Sequence, residues 1–181
     1  MGRRQTIDRG ALLDAAEKVV LRDGASSLTI DAVAKEAGVS KGGVLYAFAT
    51  KDALIDAMMN RVTAFYDEKV AAYLERSGDS PQAHVLAHVD ANRQEDANTS
   101  ARAIALMTSF IRSPQFQDNT RAFYKSLFSH IDPQTERGRR ARLAILAVEG
   151  AFVVRGFALH AFSEVEWVAL HDDIIRLLLT D

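Results

Sequence analysis

Residues 29–48 read TIDAVAKEAGVSKGGVLYAF, and this stretch decides the fold of the N-terminal part of the chain. Thr29 is a hydroxyl cap for a short helix in which Ile30, Val33, Ala34 and Ala37 fall at i, i+3, i+4 and i+7, one apolar stripe. Gly38 supplies the positive φ of a tight turn. Val39 plugs the angle between two helices, and Ser40 caps the second, a very short helix in which Val44 and Phe48 face inward. Short helix, glycine turn, short helix is the helix-turn-helix pattern, whose second helix enters the major groove of DNA.

Outward from that stretch, an upstream helix carries Leu12, Leu13, Ala16, Val19 and Val20 on one face and stops at Gly24. The start of the second short helix, Lys41-Gly42-Gly43, is odd as pure structure. Two glycines in a helix of two turns cost ~2 kcal/mol, and a lysine at a helix start meets the positive end of the dipole. Both features make sense if that end is pressed against DNA, where glycine permits close approach and lysine meets phosphate. The competing reading is that the glycines serve tight helix packing.

The rest of the chain reads as helix. No segment alternates apolar and polar residues cleanly, and no Asn-Gly or Asp-Gly hairpin turn occurs. Pro81, Pro114 and Pro133 follow Ser80, Ser113 and Asp132, so all three fit the first helical position behind a cap. Ser163 with Glu166 forms a capping-box pattern. The expected fold is all-α, with about nine helices near 7–23, 30–37, 41–48, 51–76, 81–96, 101–112, 115–131, 133–161 and 164–179. Residues 1–51 are expected to form a DNA-binding head. Residues 52–181 would form a body for effector binding and dimerisation, entered through a long helix.

Residues 143–162, LAILAVEGAFVVRGFALHAF, are long and apolar enough to raise a membrane span, but Glu149, Arg155 and His160 argue against one. A helix apolar nearly all round is buried nearly all round. One side packs on its own bundle and the other on a partner subunit, so a homodimer built on helices 133–161 and 164–179 is expected. Gly150 and Gly156 would allow close helix approach there.

The net charge is −2 and hydrophobic residues make up 48% of the chain, which describes neither a disordered chain nor a general polyanion binder. Charge location says more: residues 1–51 hold eight Lys/Arg against six acids, the remainder fourteen against eighteen. With no cysteine, a disulfide scaffold and thiolate metal sites are excluded. No apolar run follows the basic start, so no signal peptide is read and the expected location is cytoplasmic. Gly2 and Thr6 match a myristoylation pattern short enough to arise by chance.

The segments LLDAAEKVVLRDGASSLTIDAVAKEAG and AGVSKGGVLYAFATKDALI together closely resemble the N-terminal module of the TetR family of bacterial regulators, over about residues 7–56. That resemblance implies an obligate dimer, two recognition helices on a palindromic DNA operator, and a divergent C-terminal pocket for a small-molecule effector, expected to be apolar. It places Thr29 and Ser40 where hydroxyls meet phosphate, Tyr46 against the DNA backbone and Lys51 on a phosphate. Lys41, Gly42, Gly43 and Val44 fall where base edges are approached. Leu45, Ala47 and Gly43 depart from the residues common in the family, so few side chains remain for base readout, and DNA shape gains weight. Arg3 and Arg4 suit either a minor-groove arm or a solvated tail.

In the body, Met107, Phe110, Phe123 and Phe152 belong to an aromatic-rich set suited to an apolar cavity, with His88, Asn92, Arg121 and Glu149 as polar groups that orient a ligand. His84 and His88 have metal-ligand spacing, but no H-E-x-x-H motif or third ligand accompanies them. Arg137, Arg139, Arg140 and Arg142 read as a solvated helix start. No nucleophile elbow, phosphate loop or dinucleotide fingerprint occurs, so neither an enzyme nor a cofactor is expected. The reading is a one-component transcriptional regulator, most often a repressor in this family. Its rival is a helical partner-binding protein with a degenerate helix-turn-helix.

Overall fold

The computed structural model describes residues 8–180; the features noted at Gly2, Arg3, Arg4 and Thr6 lie outside them. Nine α-helices and no strand occur among the described residues. They are α1 (Arg9–Asp23), α2 (Ile30–Ala37), α3 (Lys41–Ala47), α4 (Lys51–Ser77), α5 (Pro81–Arg93), α6 (Ala97–Phe110), α7 (Pro114–Ser129), α8 (Glu136–Gly156) and α9 (Glu164–Ile174). A single π turn, Ile175–Leu179, prolongs α9.

The chain divides into two compact units. The first comprises residues up to Val62 together with Ala105–Phe116. Leu12, Ala16, Val19 and Val20 of α1 pack with Leu28, Val33, Val44 and Phe48. Leu54, Ile55 and Met58 of α4 and Leu106 and Phe110 of α6 complete the same core. The head is therefore larger than residues 1–51, because the apolar stripe of α4 buries here. Capping fixes each helix start: Asp8, Thr29, Ser40 and Thr50 all accept from backbone N–H groups of the following turn. Gly38 closes α2 at φ +68° and ψ +30°, the left-handed conformation a side chain would resist.

The second unit comprises Thr63–Ile104 and Gln117–Asp181. Val89 of α5 packs with Ala144 and Val148 of α8 and Ile174 of α9, while Val85, Leu127, Ala141 and Ile145 form an adjoining cluster. Pro81 and Pro114 open their helices as expected. Pro133 does not. It sits in a turn, and Thr135 caps α8 by accepting from Gly138 N at 3.0 Å. The Asp132 carbonyl lies where a Gly138 side chain would stand, so the turn folds onto the helix start instead of extending it.

Helix α8 also ends earlier than residue 161. It stops at Gly156, and Ala158 then takes φ +53°. Nor is α8 buried all round. Ala144, Ile145, Val148 and Ala151 are buried, whereas Leu143, Leu146 and Val153 lie exposed on another face, followed by the exposed Phe157 just past the helix end. Gly156 does serve close approach, since an added Cβ would meet Ile104 at 2.3 Å; Gly150 faces open space. Among the described residues, no helix is long and apolar enough to cross a membrane.

Candidate nucleic-acid interface

Helices α2 and α3 meet through the Gly38 turn, with Val33 and Val44 fully buried between them and α1. Val44 is 0% exposed and so is withdrawn from the set expected to approach bases. The helix needs it inside, because α3 has only seven residues and Val44 is its one buried anchor. Arg9 donates to the Ala47 carbonyl at 2.7 Å, satisfying a carbonyl at the end of α3, and stacks over Phe48.

The remaining expected groups lie exposed, apart from the half-buried Gly43. Tyr46 is 87% exposed, far more than packing alone would leave an aromatic ring. Thr29 Oγ1 accepts from Ala32 N at 3.0 Å and Ser40 Oγ from Gly43 N at 3.1 Å. Each hydroxyl proton remains as a donor for an external acceptor. Lys51 is exposed at the start of α4, where Thr50 fixes the helix. Lys41 is exposed too, but Asp31 holds it: Nζ donates to Oδ2 at 2.8 Å. An added Cβ on Gly42 would come no nearer to another group than 3.9 Å. Packing within the chain therefore gives no reason for glycine at position 42.

In the second unit, four polar side chains from four helices converge. Tyr66 of α4 has its hydroxyl 2.9 Å from Nδ1 of His88 on α5. His88 is 1% exposed, and its Nε2 lies 3.3 Å from Oε1 of Glu149 on α8, at ion-pair distance without hydrogen-bond alignment. Tyr124 of α7 donates to the other carboxylate oxygen at 2.6 Å. Phe123 sits edge-on to both tyrosines, with ring centroids 5.5 and 5.2 Å away. Burial first, then the Glu149 carboxylate, pushes both phenols well above their ordinary range.

Of the expected ligand groups, His88, Phe123 and Glu149 are thus brought together. Asn92 is used structurally: its Nδ2 donates to the His88 carbonyl at 2.9 Å, and its own carbonyl accepts from Trp167 Nε1. Phe152 is half-buried on α8. Phe110 belongs to the core of the first unit, and Met107 falls in that unit as well, so neither joins the cluster. Arg121 is engaged by Asp118 and Gln117. His84 and His88 diverge: His84 pairs with Asp79 at 2.7 Å and stacks on His130.

Sequence reasoning singles out neither Tyr66 nor Tyr124; a tyrosine with its hydroxyl committed inside a bundle looks like any aromatic core residue. It also missed Arg155. That guanidinium is buried over the Trp167 ring at 4.1 Å, donating to the Glu95 carbonyl and to Glu164. A separate cleft of about 310 Å3 between the starts of α5 and α8 is bordered by Gln82, Val85, His130, Arg137 and Leu179. It contains none of the expected ligand groups.

A helix-turn-helix head joined in one all-α chain to a helical body defines the class: helix-turn-helix transcriptional regulators. Residues 12–58 match the family model for bacterial regulatory proteins of the tetR family, and residues 82–179 match a Tetracyclin repressor-like C-terminal domain. The chain belongs to the TetR family, and it is a DNA-binding transcriptional regulator, not an enzyme. It is 28% identical to the HTH-type transcriptional regulator BetI of Serratia proteamaculans, over 97% of this chain and 94% of that one. A transcriptional regulator structure from Pseudomonas aeruginosa shares the fold with a TM-score of 0.69 at 16% identity, covering 94% of this chain and 89% of the other. The multidrug binding protein EbrR, solved with imidazole, matches with a TM-score of 0.61 at 21% identity, covering 96% of each chain.

Proposed function

We propose that the protein is a cytoplasmic homodimeric repressor that binds a palindromic operator and leaves it when a small molecule occupies the body. Phosphates are met by the Thr29 and Ser40 hydroxyls, Tyr46 and Lys51, while Lys41 and the bare backbone at Gly42 and Gly43 approach base edges. The observation that carries this reading is the exposure of Tyr46 on a recognition helix whose other exposed residues are Lys41, Gly42 and Leu45. With so few base-reading side chains, DNA shape supplies much of the selectivity. Domain roles follow the same division: the head reads DNA, and the body pairs subunits and senses the effector.

The effector site we assign to the Tyr66–His88–Glu149–Tyr124 cluster. It suits a molecule with an apolar body, for the Phe123 and tyrosine rings, and one hydrogen-bonding group for Glu149 or His88. Because Tyr66 lies on α4, whose first turns bury in the head, a ligand that displaces Tyr66 favours one state of that helix over another. It lowers DNA affinity by its differential affinity for the two states. Footprinting on DNA upstream of the gene, repeated with candidate effectors, tests the proposal. A two-fold-related protected pair of half-sites that clears on adding ligand is expected. Protection that no ligand relieves counts against the switch, and absence of protection counts against the operator.

A further inference from the structure

Lys41 is the only charged residue on α3, whose sequence is KGGVLYA. Its ammonium is held at 2.8 Å by Asp31 in the first turn of α2, and both side chains are more than half exposed. The recognition helix therefore presents no net charge to DNA while this pair is closed. Another cation of the head, Arg22, is likewise occupied, by Asp23 and Glu36.

We propose that Asp31 is a specificity-determining residue of the DNA interface, withholding Lys41 from phosphates and releasing it only where a base edge accepts it. This rests on the reading that α2 and α3 face DNA. The carboxylate of Asp31 competes with phosphate for the same ammonium. On arbitrary DNA, Lys41 trades one anion for another and leaves Asp31 unpaired beside the backbone, so the exchange gains little. At a guanine, the lysine reaches O6 and N7, acceptors that an arbitrary sequence does not place there. Asp31 thus weakens non-specific binding more than operator binding, and specificity is the difference of the two.

Asp31→Asn keeps the shape and removes the competitor. Binding is measured by fluorescence anisotropy across a salt series, using a duplex of the gene's own upstream region and a random duplex of equal length. Asp31→Asn is expected to bind the random duplex roughly 3- to 10-fold tighter, the yield of freeing one surface ion pair and one cation. Its salt slope should steepen by about 0.9, one added phosphate contact. The upstream duplex should gain less, so discrimination falls. In a Lys41→Gln background, Asp31→Asn should do no more than Asp52→Asn, which removes a charge from the exposed first turn of α4. Equal tightening on both duplexes, an undiminished effect without Lys41, or no change at all would each overturn the role given to Asp31. A wild-type protein that binds neither duplex overturns the DNA-binding assignment and this inference with it. Bound wild type with an unresponsive Asp31→Asn overturns this inference alone.

Discussion

Tyr124 donates to Oε2 of Glu149 at 2.6 Å while Oε1 of the same carboxylate lies 3.3 Å from Nε2 of His88, so one acidic group joins α7 to α5. Burial and this carboxylate together raise the Tyr124 and Tyr66 phenols above their ordinary value of 10.0. A raised folded-state value favours the neutral phenol. Its contribution to stability is complete below pH 10 and fades as pH climbs toward the folded value. Glu149→Gln should bring the late-ionising tyrosines down toward 10, read as tyrosinate absorbance against pH. Identical titration curves for variant and wild type would show that Glu149 does not act on them.

Burial pushes the Glu95 carboxyl up to about 7, against the attraction of Arg155 and a hydrogen bond from Ser100. The sign is that of a raised acid: the stabilising share is present below about 4.5 and is lost as pH rises through 7. Glu95→Gln should match wild type near pH 4.5 and gain over it at pH 8. The gain should be about 1–2 kcal/mol, discounted because the side chain is only half-buried. Denaturant midpoints collected from pH 4.5 to 8 give the comparison; parallel curves for the two proteins would refute it.

The contrast between these two groups and the head says what the sequence could reveal. Capping residues, the Gly38 turn and the stripe of α2 are local in sequence, so the helix starts at Thr29 and Ser40 are legible there, whereas the DNA-facing roles expected of Tyr46 and Lys51 rest on the family resemblance alone. Even there, the resemblance sets Val44 among the base-approaching residues although its apolar spacing turns it inward, where the structure buries it. The body cluster is not local. Tyr66 meets His88 across 22 positions and Tyr124 meets Glu149 across 25, and no periodicity encodes either meeting. Pro133 misled because a capping dipeptide is a local signal, overridden here by the Asp132 carbonyl closing onto Gly138.

Tyr46 offers a clean separation of binding from folding. Because its ring is 87% exposed, Tyr46→Ala should change thermal stability by no more than about 0.5 kcal/mol. It should nevertheless weaken DNA binding on every sequence alike. Lys51→Ala should do the same and also lower the salt slope by about 0.9. A Lys51→Ala protein with unchanged affinity and slope would remove this lysine from the phosphate contacts.

The exposed apolar row on α8 is the remaining feature that demands an occupant. Scattered exposed leucines are ordinary, but Leu143, Leu146 and Val153 recur at helical spacing, continued by Phe157 just past the helix end and by Val165 and Val168 on α9. Gly150 lies in the same row with open space where a side chain would stand, which suits close approach by a second α8. A stable interface needs about 1,200–2,000 Å2 of total buried area, and two helices per subunit can supply it. Leu146→Asp would bury an unpaired charge in that interface, and a penalty of ~3 kcal/mol raises the dimer dissociation constant more than 100-fold. The variant should sediment as a folded monomer with an unchanged helical spectrum. It should also lose most operator affinity, since each head then binds a half-site alone. Leu21→Asp alters an equally exposed leucine on α1, outside the row, and should leave association untouched. If Leu146→Asp still sediments as a dimer, the subunits pair through some other surface.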